Sequence, residues 1–474
     1  MATSTAPPAS TADGRPLIFY GYWIVGGALV AQFMFTGTQT SVVGVFLKPM
    51  TEELGWQRAE FFYPQTLGRF IFAFAGFFIG VYVDRYGARP LMVIGVTILA
   101  ATLFLAGEVT ELWQWVALRG VLFILGAVLV GNLVVNVTIS KWFVEKRGRA
   151  IGVAAMGVSL AGVVWPPAMT AYVDGFGWRA GWHALAITTL VLVIPIAMIM
   201  RREPEDHGLH PDGRSDQEVA AGSGAVAEAD YANSLTRGQA LRTSTLYLLI
   251  VSFGLAVVGV GVILTQTIPF LTDEGFSRGT AAIMSSAMSL PALVSKPIWG
   301  LVIERVDPRP IAAAGFALSA VATIIILLSA KAGIVPPLAA GYVLMGIGFG
   351  GHIPIQEVIW ASYFGRRYLG AVRSVAMPFS LVIGAGAPLA VASYFDAVGN
   401  YDGAFYAISV LWMVAAALVM LVRRPRVPRT PRAPRTPVTS APVDGRDPSP
   451  PVLEPAARRR RRVPRDYMQP PTMG

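Results

Sequence analysis

Long apolar runs alternate with short polar connections along almost the whole chain. Each run is roughly 20 residues long, the length at which a helix rising about 1.5 Å per residue crosses about 30 Å of hydrocarbon. They fall near residues 20–47, 61–83, 90–107, 113–138, 150–172 and 181–200, then 245–270, 279–302, 310–330, 336–360, 369–392 and 403–422. An amide in lipid has no water to bond, so each run is predicted to be a helix. The pattern predicts an all-α polytopic membrane protein of twelve transmembrane helices in two pseudo-symmetric six-helix bundles, residues 20–200 and 245–422. Residues 1–19 read as a disordered tail, 201–244 as a polar, flexible linker, and 423–474 as a disordered basic tail.

Composition agrees. Of 474 residues, 54% are hydrophobic and 14% charged, with mean hydropathy +0.56, against about 25% charged in soluble domains. The chain has no cysteine, which excludes disulfides, thiolate metal sites and cysteine nucleophiles.

The two halves repeat. GVYVDRYGARP (Gly80 to Pro90) returns as GLVIERVDPRP (Gly300 to Pro310), so Asp84 and Glu304 lie 220 residues apart. WFVEKRGRAIG (Trp142 to Gly152) is echoed by YFGRRYLGA (Tyr363 to Ala371), Pro167 by Pro388, and Tyr172–Asp174 by Tyr394–Asp396. Landmarks kept in order at one offset mark an internal duplication.

Charge sets orientation. One set of connections carries Arg85 and Arg89, Lys141, Lys146, Arg147 and Arg149, Arg201 and Arg202, Arg305 and Arg309, and Arg366 and Arg367; the alternate set holds few cations. Basic loops stay cytoplasmic, and an even number of spans then puts both termini there, in the cell (plasma or inner) membrane. The run Arg458–Arg462 in the tail suits solvent or anionic headgroups. With one aromatic, Tyr467, and no folded reader, the tail does not suit nucleic acid.

Twelve spans in two parallel halves, with an acidic Gly-x-x-x-(Asp/Glu)-Arg loop after spans 2 and 8, resemble the major facilitator superfamily over residues 20–422. YGYWIV (Tyr20 to Val25), GVFLKPM (Gly44 to Met50), ELGWQRA (Glu53 to Ala59), KRGRAIG (Lys146 to Gly152) and REPEDHGLHPDG (Arg202 to Gly213) are similar to the monocarboxylate carrier and oxalate/formate exchanger branch. The resemblance implies alternating access by rocking of the halves. It also implies a cytoplasmic latch at Gly80, Asp84, Arg85 and Arg89 and at Gly300, Glu304, Arg305 and Arg309. The acids there can meet the positive N-terminus of a facing helix and nearby arginines.

Ionisable residues inside spans are costly and by default functional. Lys296 lies eight residues before Glu304, about 12 Å from the span end. Its setting, Lys-Pro-Ile-Trp-Gly, resembles the Arg-Pro-x-x-Gly of monocarboxylate carriers, whose Arg binds the substrate carboxylate; snorkelling is the alternative. Arg69 reads as a second anion-binding cation or as half of an ion pair between helices. Arg119, shortly after Trp113 and Trp115, reads as an interfacial arginine snorkelling beside belt aromatics, with a role in transport as the alternative. Asn132 and Asn136, four apart, match His352 and Gln356 at an offset of 220, a polar stripe suited to a water-filled cavity or to interhelical hydrogen bonds. Glu357 and His352 are the proton-coupling candidates, Glu357 alternatively a counter-ion. Where the family carries a span-1 Lys, a span-8 Asp and a span-11 Lys, this chain has residues near Ser41, Ala292 and near Ser380.

No paired acids with metal spacing, nucleophile elbow or nucleotide loop is present, so neither an enzyme nor a bound metal or cofactor is expected. The sequence reading is a secondary transporter for a small organic anion, most simply a monocarboxylate. Its expected partners are a coupling proton or counter-anion and membrane lipids, and it is expected to work as a monomer. Carriers of other small solutes, a channel and a non-transporting sensor are the alternatives.

Overall fold

The computed structural model describes residues 19–376, 378–379 and 387–425. Among these every regular element is helical. The first six long helices are α1 (Gly21–Leu54), α2 (Arg58–Tyr86), α3 (Ala88–Ala106), α4 (Leu112–Trp142), α5 (147–176) and α6 (178–199). After the linker come α7 (Ser244–Asp273), α8 (Arg278–Ile303), α9 (Pro308–Lys331) and α10 (Val335–Phe364). Then follow α11 (Leu369–Arg373), α12 (Ala387–Val398) and α13 (Asp402–Leu421). α5 and α6 run together over 53 residues, about 80 Å by helical rise and too long for one crossing. Gly177 breaks them with φ +82°, a conformation glycine adopts without a Cβ penalty. The expected span 369–392 corresponds to α11, α12 and residues outside the described set, Ser380 among them. Both expected terminal tails lie outside it too, apart from Phe19 and residues 423–425.

Two long helices are locally underwound. α1 takes a π-helical turn at Gly37–Ser41 and α4 another at Val116–Leu122. Such turns release carbonyls from the regular ladder and often mark functional positions.

Apolar side chains gain nothing by leaving lipid, so close packing of small residues brings helices together. Within the first half, a Cβ on Gly157 would lie 2.1 Å from the Leu29 carbonyl oxygen. Within the second, one on Gly346 would lie 2.1 Å from that of Met288. The same device joins the halves at the end bearing the arginine-rich connections, the basic end. There a Cβ on Gly80 would meet the Gly370 carbonyl oxygen at 2.0 Å, and one on Gly300 that of Gly148 at 2.2 Å. The α2–α11 and α5–α8 contacts are thus pseudo-symmetric copies.

The linker differs from the flexible tether expected of it. Its residues form short helices, including Ala225–Ala232 and Arg237–Ala240, folded across the basic end. The Asp212 carboxylate accepts from three successive backbone amides, those of Val144, Glu145 and Lys146, at 3.0–3.1 Å. Asp230 pairs with Arg147 of the first half at 3.4 Å and lies 3.8 Å from Arg366 of the second. The Leu235 amide donates to the Phe364 carbonyl at 2.8 Å. Arg202 holds the Asp206 carboxyl below its ordinary pKa. Composition suggested disorder because it cannot register acids whose partners lie 66–83 residues away in sequence.

The glycine contact is testable. Gly300→Ala places a methyl against the Gly148 backbone, and overpacking of this kind costs about 1–3 kcal/mol. The expected outcome is a lower Tm in detergent and faster labelling, from the basic end, of a cysteine introduced at Asn132. Gly162→Ala, on α5 with open space around it, should leave both unchanged.

Candidate functional site

Between the halves, beyond the closed basic end, lies a cavity of about 180 Å³. α4 contributes Asn132 and Asn136, α10 Gln356 and Glu357, and α11 Arg373, with Phe35, Phe72, Leu133 and Ile353 as apolar wall. Four-residue spacing puts the polar pair of α4, Asn132 and Asn136, on one face. Gln32 donates through Nε2 to Asn136 Oδ1 at 3.2 Å. Asn132 Oδ1, Asn136 Nδ2 and Gln32 Oε1 have no hydrogen-bond partner among the described residues, so the cavity keeps spare polar capacity. Glu357 accepts from Arg373 Nη2 at 3.2 Å and Nε at 3.3 Å, a two-point pair almost entirely shielded from solvent. His352 stands apart, its buried ring packed against Phe316, Phe349 and Trp412 with Nε2 unpartnered among the described residues.

Lys296, 1% exposed, sits where α8 crosses α5. The crossing is tight, since a Cβ on Gly152 would lie 2.7 Å from the Lys296 carbonyl oxygen. Its Nζ donates to Ser159 Oγ of the opposite half and, at 3.3 Å, to the Ala292 carbonyl one turn back. Ala292 lies farther from the basic end than Lys296 does, so the ammonium does not snorkel towards that end. The Phe349 ring is 5.5 Å away, one turn from Ile353 of the cavity wall. No carboxylate among the described residues pairs with Lys296.

Arg69 lines a different cavity in the first half, together with Arg119. The interfacial reading of Arg119 is corrected. Its side chain is 4% exposed and points inward onto Phe123 and Trp182, because it satisfies carbonyls freed by the α1 π-turn.

The basic end is closed by both duplicated acids. Asp84 accepts from the Gly370 amide at 3.2 Å, the Ala371 amide at 2.8 Å and Lys141 Nζ at 3.2 Å. Glu304 accepts from the Arg149 amide and from Arg149 Nε, each at 2.8 Å. Each carboxylate thus caps the N-terminus of a helix in the other half, where partial positive charge favours it. Burial pushes the Glu304 carboxyl above its ordinary pKa, against the pull of Arg149. The sequence-adjacent arginines are not the partners: Arg85 and Arg305 are exposed, Arg89 reaches Met198, and Arg309 is held by Asp307. Sequence reasoning missed Lys141 and Arg149 as partners, and Arg373 and Ser159 altogether. Arg373 carried a signal, an ionisable residue inside an expected span.

A helical membrane protein whose two halves are latched at one end around a polar, charged cavity is built as a carrier. The chain belongs to the major facilitator superfamily, whose family model matches residues 29–277 and 261–464. It resembles the oxalate/formate exchanger branch: the oxalate:formate antiporter of Oxalobacter formigenes is 25% identical over 408 residues, 83% of this chain and 90% of that protein. The agnestins efflux protein of Paecilomyces divaricatus is 22% identical over 403 residues, 82% and 83% of the two chains. A fungal transporter of Aspergillus niger matches over only 44% of its own length. Among solved structures, a proton:xylose symporter superposes with TM-score 0.66 at 13% identity, covering 85% of this chain and 95% of its own. The human organic anion transporter MFSD10 gives 0.63 at 17%, covering 84% and 98%. At these identities the structures establish the fold.

Asp84→Asn removes the charge that compensates Lys141 and weakens two amide contacts. Losing one partner of a buried pair costs about 3–5 kcal/mol. The expected result is faster modification, from the basic end, of a cysteine at Asn132 on this cysteine-free background. Labelling from that end equal to the parent's would show that Asp84 does not hold the halves.

Proposed function

We propose that this protein is a secondary active transporter that moves a small organic anion, most simply a monocarboxylate, across the cell membrane by alternating access. Residues 20–200 and 245–422 are the rocking bodies, and the basic end, with both termini, faces the cytoplasm. The carrying observation is Lys296: a buried ammonium at the junction of the halves, bonded among the described residues to a hydroxyl and a carbonyl and to no carboxylate. A charge at this depth costs about 2.5–3.5 kcal/mol on the mildest scales, and neutral acceptors offset little of it. An incoming carboxylate supplies the missing countercharge. The similarity to an oxalate:formate antiporter over most of both chains supports this substrate class.

Asn136 orients the anion through its spare Nδ2 donor, with the amides of Asn132 and Gln356 beside it on the cavity wall, and Arg69 offers a further cation. Arg373 is the hinge of the scheme. α11 is a single turn whose first amides are held by Asp84 and whose last residue holds Glu357. The cavity and the latch are therefore joined through about 5 Å of helix. A substrate carboxylate that takes Arg373 frees Glu357, which then accepts a proton or repels the anion onward. His352, buried and without a partner at Nε2 among the described residues, is the second proton candidate. The agnestins efflux protein supports a second reading, export of another small metabolite, which accumulation in inverted vesicles would reveal.

The test is Lys296→Ala against Lys296→Arg, both reconstituted and assayed with labelled formate and lactate. A charge-assisted hydrogen bond contributes about 1.5–3 kcal/mol, so the alanine variant should lose at least about tenfold in affinity. Arginine keeps the charge with a bulkier, planar head and should retain part of the activity. Parental carboxylate uptake by a well-expressed Lys296→Ala protein would sink the proposal.

A further inference from the structure

The first half holds a second cavity, of about 350 Å³, between α1, α2 and α4. Gln39, Gln65, Arg69, Phe72, Arg119 and Phe123 contribute to its wall, which includes no acidic residue. Arg119 is buried, yet among the described residues its contacts are a Thr38 carbonyl, a Gln39 carbonyl at 3.2 Å and the Phe123 and Trp182 rings at 3.8 and 5.4 Å. The two carbonyls belong to the π-turn of α1, and Arg119 itself sits in the π-turn of α4. Both irregular turns therefore converge on one guanidinium. Its Nη1 is shielded from solvent and has no partner among the described residues. Arg69 is exposed on the same wall, with no hydrogen bond or ion pair among the described residues.

Two cations around one cavity repel each other, and a buried one is retained where countercharge is available. Carbonyl dipoles and a ring face supply part of it for Arg119 and none for Arg69. An anion between the two guanidinium groups supplies the rest, through charge-assisted hydrogen bonds. Phe72 and Phe123 give an apolar wall for an organic substituent. Phe72 also borders the central cavity, so the two spaces adjoin through one ring. Along α2, Arg69 lies 15 residues from Asp84, about 22 Å by helical rise, whereas Lys296 lies about 12 Å from Glu304. The cations thus stand at two depths.

We propose that the Arg69–Arg119 cavity is a second anion site, a station that takes a small carboxylate on its way to the central cavity. Its place in a transport path rests on the function proposed above; its capacity to bind an anion does not.

The absence of native cysteines makes the test direct. A Gln65→Cys reporter is reacted with negatively and positively charged methanethiosulfonates, with and without formate or lactate. The expected preference for the anionic reagent is on the order of tenfold, as two nearby cations inside a Debye length produce. Arg69→Gln should collapse that preference and abolish protection by carboxylate, while Arg69→Lys restores much of both. Protection should persist in Lys296→Ala, which separates this site from the central one. In transport, Arg69→Gln should raise KM several-fold with little change in kcat. Protection that survives Arg69→Gln, or that disappears with Lys296→Ala, would overturn the proposal and leave Arg119 as a structural clamp between two π-turns. Arg69 is exposed, so its variants carry the test even if Arg119→Gln does not fold.

Discussion

Two glycine contacts govern how near the halves come at the basic end. At Gly80 against Gly370 and Gly148 against Gly300, backbone occupies space that any side chain would fill. Lipid offers helices no hydrophobic reason to associate, so this approach depends on shape and on the polar bonds that shape permits. Once the backbones touch, Asp84 reaches the amides that begin α11 and Glu304 reaches the amide of Arg149. Either bond alone would be weak in water. In a site closed against solvent it is stronger, and Lys141 and Arg149 complete the countercharge.

Charge is distributed unevenly about that closure. At the basic end most buried cations meet an acid: Arg147 with Asp230, Arg366 with Glu205, Lys141 with Asp84. Farther in, Lys296 and Arg119 meet neutral acceptors alone among the described residues, and Arg69 stands on a cavity wall. Arg373 has Glu357, the acid closest to the central cavity. A surplus of positive charge inside a low-dielectric body is unfavourable unless a mobile anion shares the space. The partition between paired periphery and unpaired interior thus matches the proposed cargo, and the Glu357–Arg373 pair offers an internal stand-in when no cargo is bound.

The linker adds a third tie. Asp230 stands between an arginine of each half, while Asp212 caps three amides at the start of α5. Movement of the halves at this end must break or carry these contacts. The segment accordingly belongs to the closure rather than merely connecting the bundles.

The apolar runs and their duplication were enough to make the helices, their order and the paired acids legible from sequence, because membrane insertion depends on summed hydropathy and needs no knowledge of neighbours. Lys296 stood out for the same reason, as a local cost visible without a structure. Partner choice was not local. Asp84 passes over the adjacent Arg85 for Lys141 and for amides 286 and 287 residues away. Arg119 looked interfacial because hydropathy cannot register a π-turn of α1 whose carbonyls accept from an arginine of α4. Arg373 lay inside an expected span, but its partner, Glu357, is on another helix, and His352, a repeat mate of Asn132, turned into an aromatic cluster instead of the cavity. A period along one helix specifies which residues share a face. Which face meets water, a neighbour or a cavity is decided only when all the helices pack.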